Sequence, residues 1–302
     1  MNSTYDSSSA ALAVTLRPYE AEPVRVLEPA KQRAPIVLAS PHSGSFYHPA
    51  FLAASRLDPL TLRRSEDCFV DQIFSAAPSL GIPLLAAQFP RAYLDPNREA
   101  FELDPGMFAD ALPSHVKTRT DRVRAGFGTV ARVVSSGAEI YRERLRFAEA
   151  EARVHTLYMP YHDALSRLID DTVEQFGFAI LVDCHSMPSV GGPSDSDAGQ
   201  ERSDIVLGDR HGTSCAPIVI ETATRALKGL GFNVAHNDPY AGAHTLIRYG
   251  RPERRVHAIQ VEINRALYVD ETQLAKLPAF NDIARRLMRL LRALAAIDSR
   301  LL

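Results

Sequence analysis

The chain has 302 residues, 46% of them hydrophobic and 23% charged, with a formal net charge of −2. That composition fits one large globular domain or two smaller ones and excludes the broad cationic footprint of a nucleic-acid binder. No stretch approaches the ~18 consecutive apolar residues that would span a bilayer, which excludes a membrane partner of that kind.

Taken in chain order, residues 1–26 start Ser-rich, with no Lys or Arg in the first ten positions and no long apolar run. They read as a loosely ordered lead-in rather than a signal peptide, leaving residues 27–302 as the folded unit. Residues 34–40 form a short apolar run that reads as a buried strand and ends on Pro41-His42-Ser43-Gly44. Residues 67–80 read as a helix and residues 82–87 as a second strand, which leads towards Arg91 and Arg98. Residues 105–137 carry Arg119, Arg122, Arg124 and Arg132 without a strong period, and read as a long excursion. Residues 138–176 read as a helix kinked at Pro160, with Leu157, Tyr161, Leu165, Leu168 and Val173 on an imperfect apolar stripe. His162 in that stretch reads as a helix-face residue rather than a ligand.

A third strand, residues 178–182, runs into Asp183-Cys184-His185-Ser186, and a fourth, residues 257–261, runs into Glu262. Between them, residues 188–204 are a loop by composition. This loop and the excursion 105–137 are the two candidate lids. Residues 282–297 carry Ile283, Leu287, Leu290, Leu294 and Ile297 on one side and read as a helix covering a sheet face. Strand patterns separated by helical ones, with no repeat and no linker, indicate a single α/β domain.

Cys68, Cys184 and Cys215 make an odd count without a CxxC pair, which argues against a disulfide scaffold and for a reducing cytoplasm. Strand alternation turns Cys184 away from the face that carries His185, so it reads as a small buried apolar residue rather than a nucleophile.

In open α/β sheets ligands bind beyond the carboxyl ends of the strands, so His42, His185 and Glu262 converge on one crevice. A catalytic zinc needs three such ligands and an open position. His42 and His185 are the natural pair, and the third is a carboxylate from Ser65-Glu66-Asp67-Cys68, where spacing does not separate Glu66 from Asp67. Glu262 shares its strand face with Gln260 and Asn264. There it suits a general base beside the metal, the alternative being a salt-bridged Glu near Arg265. Arg91, Asn97 and Arg98 suit recognition of a carboxylate, with Asp95 holding one of the arginines. The structural alternative is an Arg–Asp surface network. His244, in a turn-rich loop, suits donation to a substrate oxygen. Neither a phosphate loop nor a GxSxG elbow occurs, which argues against nucleotide and serine-hydrolase chemistry.

These strings in this order resemble the N-formylglutamate amidohydrolase family. They are Pro41 to Gly44, Asp67 with Val70, Arg91 to Arg98, Tyr158 to Leu165, Val182 to Pro188, Leu207 to Cys215, Tyr240 to Gly250 and His257 to Asp270. The resemblance implies a single α/β domain similar to zinc carboxypeptidases, with a central mixed sheet flanked by helices. It implies hydrolysis of N-formyl-L-glutamate to formate and glutamate in histidine breakdown, with one Zn2+ per chain on His42, Asp67 and His185. Asp67 matches the ligand position better than Glu66, and Glu262 falls at the general acid/base. Arg91, Asn97, Arg98 and His244 fall in the strings expected to line the substrate pocket, Arg91 near the developing oxyanion. Two departures are visible: Gly242-Ala243 stands where a Gly-Gly pair is familiar, and residues 121–134 exceed the shorter members. The expected partner is a small N-acyl amino acid, with no nucleic acid or membrane, on a monomer or small homo-oligomer. The rival readings are a zinc deacylase or peptidase for another N-acyl amino acid or short acidic peptide, and a non-catalytic binding protein.

Overall fold

Seven strands build the main sheet: β1 (Val24–Leu27), β2 (Ile36–Ser40), β3 (Leu84–Ala87), β4 (Ala179–Met187), β5 (Ile205–Gly208), β6 (Val234–His236) and β7 (Val256–Asn264). The computed structural model describes residues 22–193 and 195–302, so most of the stretch read as a lead-in lies outside the described residues. The strand order is β1-β3-β2-β4-β7-β5-β6. β3, β2, β4 and β7 run parallel, while β1 is antiparallel to β3 and β5 antiparallel to β7, so the sheet is mixed. A hairpin of β8 (Val269–Asp270) and β9 (Ala275–Lys276) follows it.

β2 and β4 are buried at every position, which explains their unbroken apolar runs: both faces of the sheet are covered. Val37, Ala39, Leu181 and Ala258 face the helix Met159–Phe176, packing with Tyr161, Leu165 and Ile169. On the other face Leu38, Val182, Cys184, Ile259 and Val261 pack with Val219, Leu227, Leu287 and Leu291 of the helices Pro217–Gly229 and Phe280–Ala295. Cys184 therefore lies in the core opposite His185, and burial pushes its thiol well up. Gly177 closes the helix Met159–Phe176 in the left-handed conformation, φ 80°, and turns the chain into β4.

The structure departs from the sequence reading at several places. β1 occupies Val24–Leu27, overlapping the end of the presumed lead-in. Residues 67–80 hold only a turn of helix at Val70–Ile73 and a 3-10 turn at Ala77–Leu80, because the Asp67 N–H donates to the His42 carbonyl and Phe69 is left-handed. Helix begins at Phe147 rather than 138. Ile140 is tied instead to Arg56 and Arg132 through its backbone groups. Near Pro160 the helix forms a π turn, Val154–Tyr158, which absorbs the missing proline N–H without breaking the rod. β4 and β7 run on past their apolar cores, so His185 and Glu262 are inside strands rather than beyond their ends. The last helix spans Phe280–Ala295.

Candidate active site

At the carboxyl end of β2 the chain turns through Pro41-His42-Ser43-Gly44. Gly44 is required there, because a Cβ would sit 2.2 Å from the Phe89 carbonyl oxygen. The Asp67 N–H donating to the His42 carbonyl at 3.0 Å draws the next loop alongside. Asp67 Oδ2 then lies 2.9 Å from His185 Nδ1 and 3.3 Å from His42 Nδ1, with all three side chains buried.

The far side of each imidazole fixes its tautomer. His42 Nε2 is 2.7 Å from Asp95 Oδ1, and His185 Nε2 is 2.9 Å from Asp183 Oδ2. A carboxylate only accepts, so Asp95 and Asp183 favour a proton on each Nε2, which leaves each Nδ1 able to turn a lone pair to a cation placed between it and Asp67. Without a cation each Nδ1 can donate to Asp67, and a cation would take the place of those protons. These three residues therefore fit a metal ion, and their ligand atoms lie within 4.8 Å of one another. Carboxylates behind metal-facing histidines are the usual device for orienting such ligands. Although burial opposes it, hydrogen bonds from His185 and His42 hold the Asp67 carboxyl well below the usual range, which keeps its charge available to a cation. Glu66 is turned away, bonded to Arg63 Nε at 3.1 Å.

Around this cluster, Asp95 accepts from Arg91 Nη2 at 2.9 Å and from the Asn97 N–H at 2.8 Å. Asn97 Oδ1 accepts from the Thr245 N–H and hydroxyl, while its Nδ2 faces Asp183 and His185. Arg265 donates to Asp67 Oδ1 at 3.2 Å and to both Ser186 oxygens. Glu262 stands opposite His185 in the β4–β7 register and accepts from Gln260 Nε2 at 2.9 Å. Burial pushes its carboxyl up to about 7, and the Asp67 charge adds to that. A cavity of about 540 Å³ opens over these groups. The excursion 105–137 contributes Arg122, Phe127 and Val133 to its wall, and the loop 188–204 contributes Val190 and Asp195. Arg202 grips Asp195 and Asp197, each at 2.7 Å, and so pins the latter loop.

The sequence model of the N-formylglutamate amidohydrolase family matches residues 34–269. The chain belongs to this family. An N-formylglutamate deformylase of Pseudomonas putida is 27% identical over 82% of the chain and 87% of its own length. Its counterpart in Pseudomonas aeruginosa is 28% identical over 82% and 86%. The crystal structure of an N-formylglutamate amidohydrolase from Ralstonia eutropha superposes with a TM-score of 0.82 at 34% identity, covering 90% of this chain and 97% of that one.

In this family member the residues singled out in the sequence mostly assemble. His42, Asp67, Arg91, Asp95, Asn97, Arg98, His185 and Glu262 all line the one cavity. His244 does not; its neighbour Ala243 does, and His244 Nε2 is 3.0 Å from the Tyr158 hydroxyl, where burial pushes the imidazole down to about 4. Asn97 spends both ends of its amide on protein groups. Sequence reasoning missed Asp183, Thr245, Gln260, Arg265 and Arg122. Asp183 was findable, since it alternates with His185 on one strand face; an exposed arginine in an aperiodic stretch carries no such signal.

Proposed function

We propose that this chain hydrolyses the N-formyl amide of N-formylglutamate, releasing formate and glutamate, with one zinc ion held by His42, Asp67 and His185. The observation that carries the reading is the convergence of two imidazole Nδ1 atoms and one carboxylate oxygen beside a buried glutamate. Bound zinc would supply Lewis acidity to the scissile carbonyl and lower the pKa of an attacking water. Glu262, raised towards neutrality by burial, takes the proton from that water and returns it to the departing amide nitrogen. Arg91, anchored on Asp95, presents its remaining N–H groups to the developing oxyanion. Arg98, whose Nε and Nη1 are tied to the Phe127 and Asn97 carbonyls and whose Nη2 stands 3.7 Å from Asp95 Oδ2, makes no closer bond through Nη2 among the described residues and can turn it to a substrate carboxylate. Asp95 and Asp183 hold the imidazoles, and Asn97 links the two halves of the site. His244 acts through Tyr158, whose hydroxyl donates to the Arg98 carbonyl at 2.9 Å.

Residues 27–302 would form the catalytic unit. A cytoplasmic location is supported by three free, buried cysteines. Among the described residues no helix is long and apolar enough to cross a membrane. A second reading, a deacylase for a larger N-acyl amino acid or short acidic peptide, is favoured by the cavity volume, which lies within the range that takes drug-sized ligands.

The test is elemental analysis of wild type and His185→Ala together with formate release from N-formylglutamate. About one zinc per wild-type chain, lost in the variant, with formate released only by wild type, is the expected result. No zinc after reconstitution would overturn the metal reading. Zinc without formate, but with turnover of a larger N-acyl substrate, would move the second reading to the front.

A further inference from the structure

We infer that Arg122 is a specificity-determining residue that binds the side-chain carboxylate of the substrate, completing a receptor that Arg98 begins. The inference rests on the deformylase reading and names which part of this chain distinguishes an acidic amino acid from a neutral one.

Of the arginines lining the cavity, three are bonded in full or in part to protein groups. Arg91 is bonded to Asp95, Arg98 is tied to two backbone carbonyls, and Arg265 is spent on Asp67 and Ser186. Arg122 also lines the cavity, but among the described residues no group bonds its side chain. It stands close enough to Arg98 that its charge, after burial, is among the causes lowering the Arg98 pKa to about 10. Two guanidiniums on one cavity wall, the outer one exposed and without a protein partner among the described residues, can close on a single carboxylate, which their planar forks fit.

The backbone that carries both arginines is tied down. Thr120 caps the turn Asp121–Arg124, and the Phe127 N–H donates to the Arg122 carbonyl at 2.8 Å. Phe127 in turn accepts from Arg98 Nε, so both arginines hang on one short segment. Position decides which carboxylate is meant. Arg91 reaches to 3.7 Å from the ligand Asp67, whereas of the two carboxylates Asp67 and Asp95 Arg98 pairs only with Asp95, and Arg122 with neither. The carboxylate beside the scissile nitrogen falls to the Arg91 side, and the distal one to Arg98 and Arg122.

The experiment compares N-formylglutamate with its neutral isostere N-formylglutamine in wild type, Arg122→Ala, Arg122→Lys and Arg64→Ala. Arg64 is the other cavity arginine without a side-chain partner among the described residues. Arg122→Ala is expected to lower kcat/KM for formylglutamate about tenfold or more, through KM, and formylglutamine less than about twofold. The Lys variant should recover part of the difference. Equal losses on both substrates, no loss, or a changed ratio in Arg64→Ala alone would overturn the assignment. Calorimetric titration with glutarate needs no turnover and separates this from the deformylase reading itself. Weaker binding by Arg122→Ala than by wild type supports the receptor even if formylglutamate is not hydrolysed. Equal binding, or none to wild type, refutes it.

Discussion

Replacing Asp183 with Asn tests the tautomer argument on which the metal site depends. The side chain keeps its volume and loses its charge in a fully buried position. In the native site Asp183 Oδ2 accepts from His185 Nε2 at 2.9 Å and from Asn97 Nδ2 at 3.3 Å. An asparagine has two ways to sit there. With its oxygen towards His185 it keeps a neutral hydrogen bond but loses the charge-assisted one, and its amide nitrogen lands where Asp183 Oδ1 has no partner among the described residues. With its nitrogen towards His185 it forces Nε2 to accept, which moves the imidazole proton to Nδ1, the atom facing Asp67. Either outcome weakens the site. Loss of such a carboxylate behind a metal-binding histidine typically costs 10–100-fold in affinity, or about 1.4–2.7 kcal/mol. Zinc affinity measured by competition with a chromophoric chelator at fixed pH should fall by that factor. An affinity within about twofold of wild type would refute the assignment of Nδ1 as the ligand atom.

Glu262→Gln should keep its zinc while losing about 10²–10⁴-fold in kcat, since it removes only the proton acceptor; loss of zinc in step with activity would place Glu262 in the ligand set instead. Because Glu262 works ionised and burial lifts it from 4.5 to about 7, kcat/KM should fall as pH drops below 7. A nearby cation pulls that limb down towards 4.5, and a limb above 7 would assign it to another group. Gly44→Ala should cost about 1–3 kcal/mol in chemical denaturation, since the added methyl meets the Phe89 carbonyl; an unchanged midpoint would mean that the loop relaxes freely. Acid stability should follow His162, which accepts from the Tyr249 hydroxyl and donates to the Pro96 carbonyl. Burial lowers it from 6.5 to about 3, so its contribution is intact above pH 6.5 and lost as the pH falls towards 3. At pH 5 the loss is about 2 kcal/mol, and His162→Gln should flatten the denaturation midpoint between pH 7 and 5.

The parts of the fold legible in the sequence were those whose physics is local. β2, β4 and β7 are buried on both faces, so they appear as continuous apolar runs, and two of the presumed ligands sit where those runs meet polar residues. The last helix shows its period because only one side is buried. What failed was decided by distant backbone partners. Residues 138–146 have helical composition, but Ile140 pairs with Ser55 and Arg56. Residues 67–80 lose their first turn to the bond between Asp67 and His42. The choice between Glu66 and Asp67 likewise needed three dimensions, because it turns on Arg63 claiming the former. Asp95 and Asn97 were recognised as polar groups worth noting, yet their backing of His42 and His185 follows from a turn that brings β3's exit over β2 and β4.

Charge explains why such a site suits an anionic substrate. Four carboxylates, Asp67, Asp95, Asp183 and Glu262, meet three guanidiniums, Arg91, Arg98 and Arg265, which leaves one negative unit when all are ionised and both histidines are neutral. A buried cluster with that balance disfavours an anion, and a divalent cation would reverse its sign to one positive unit. Binding of a cation at His42, Asp67 and His185 and binding of an anionic substrate would therefore be coupled through the same buried charges.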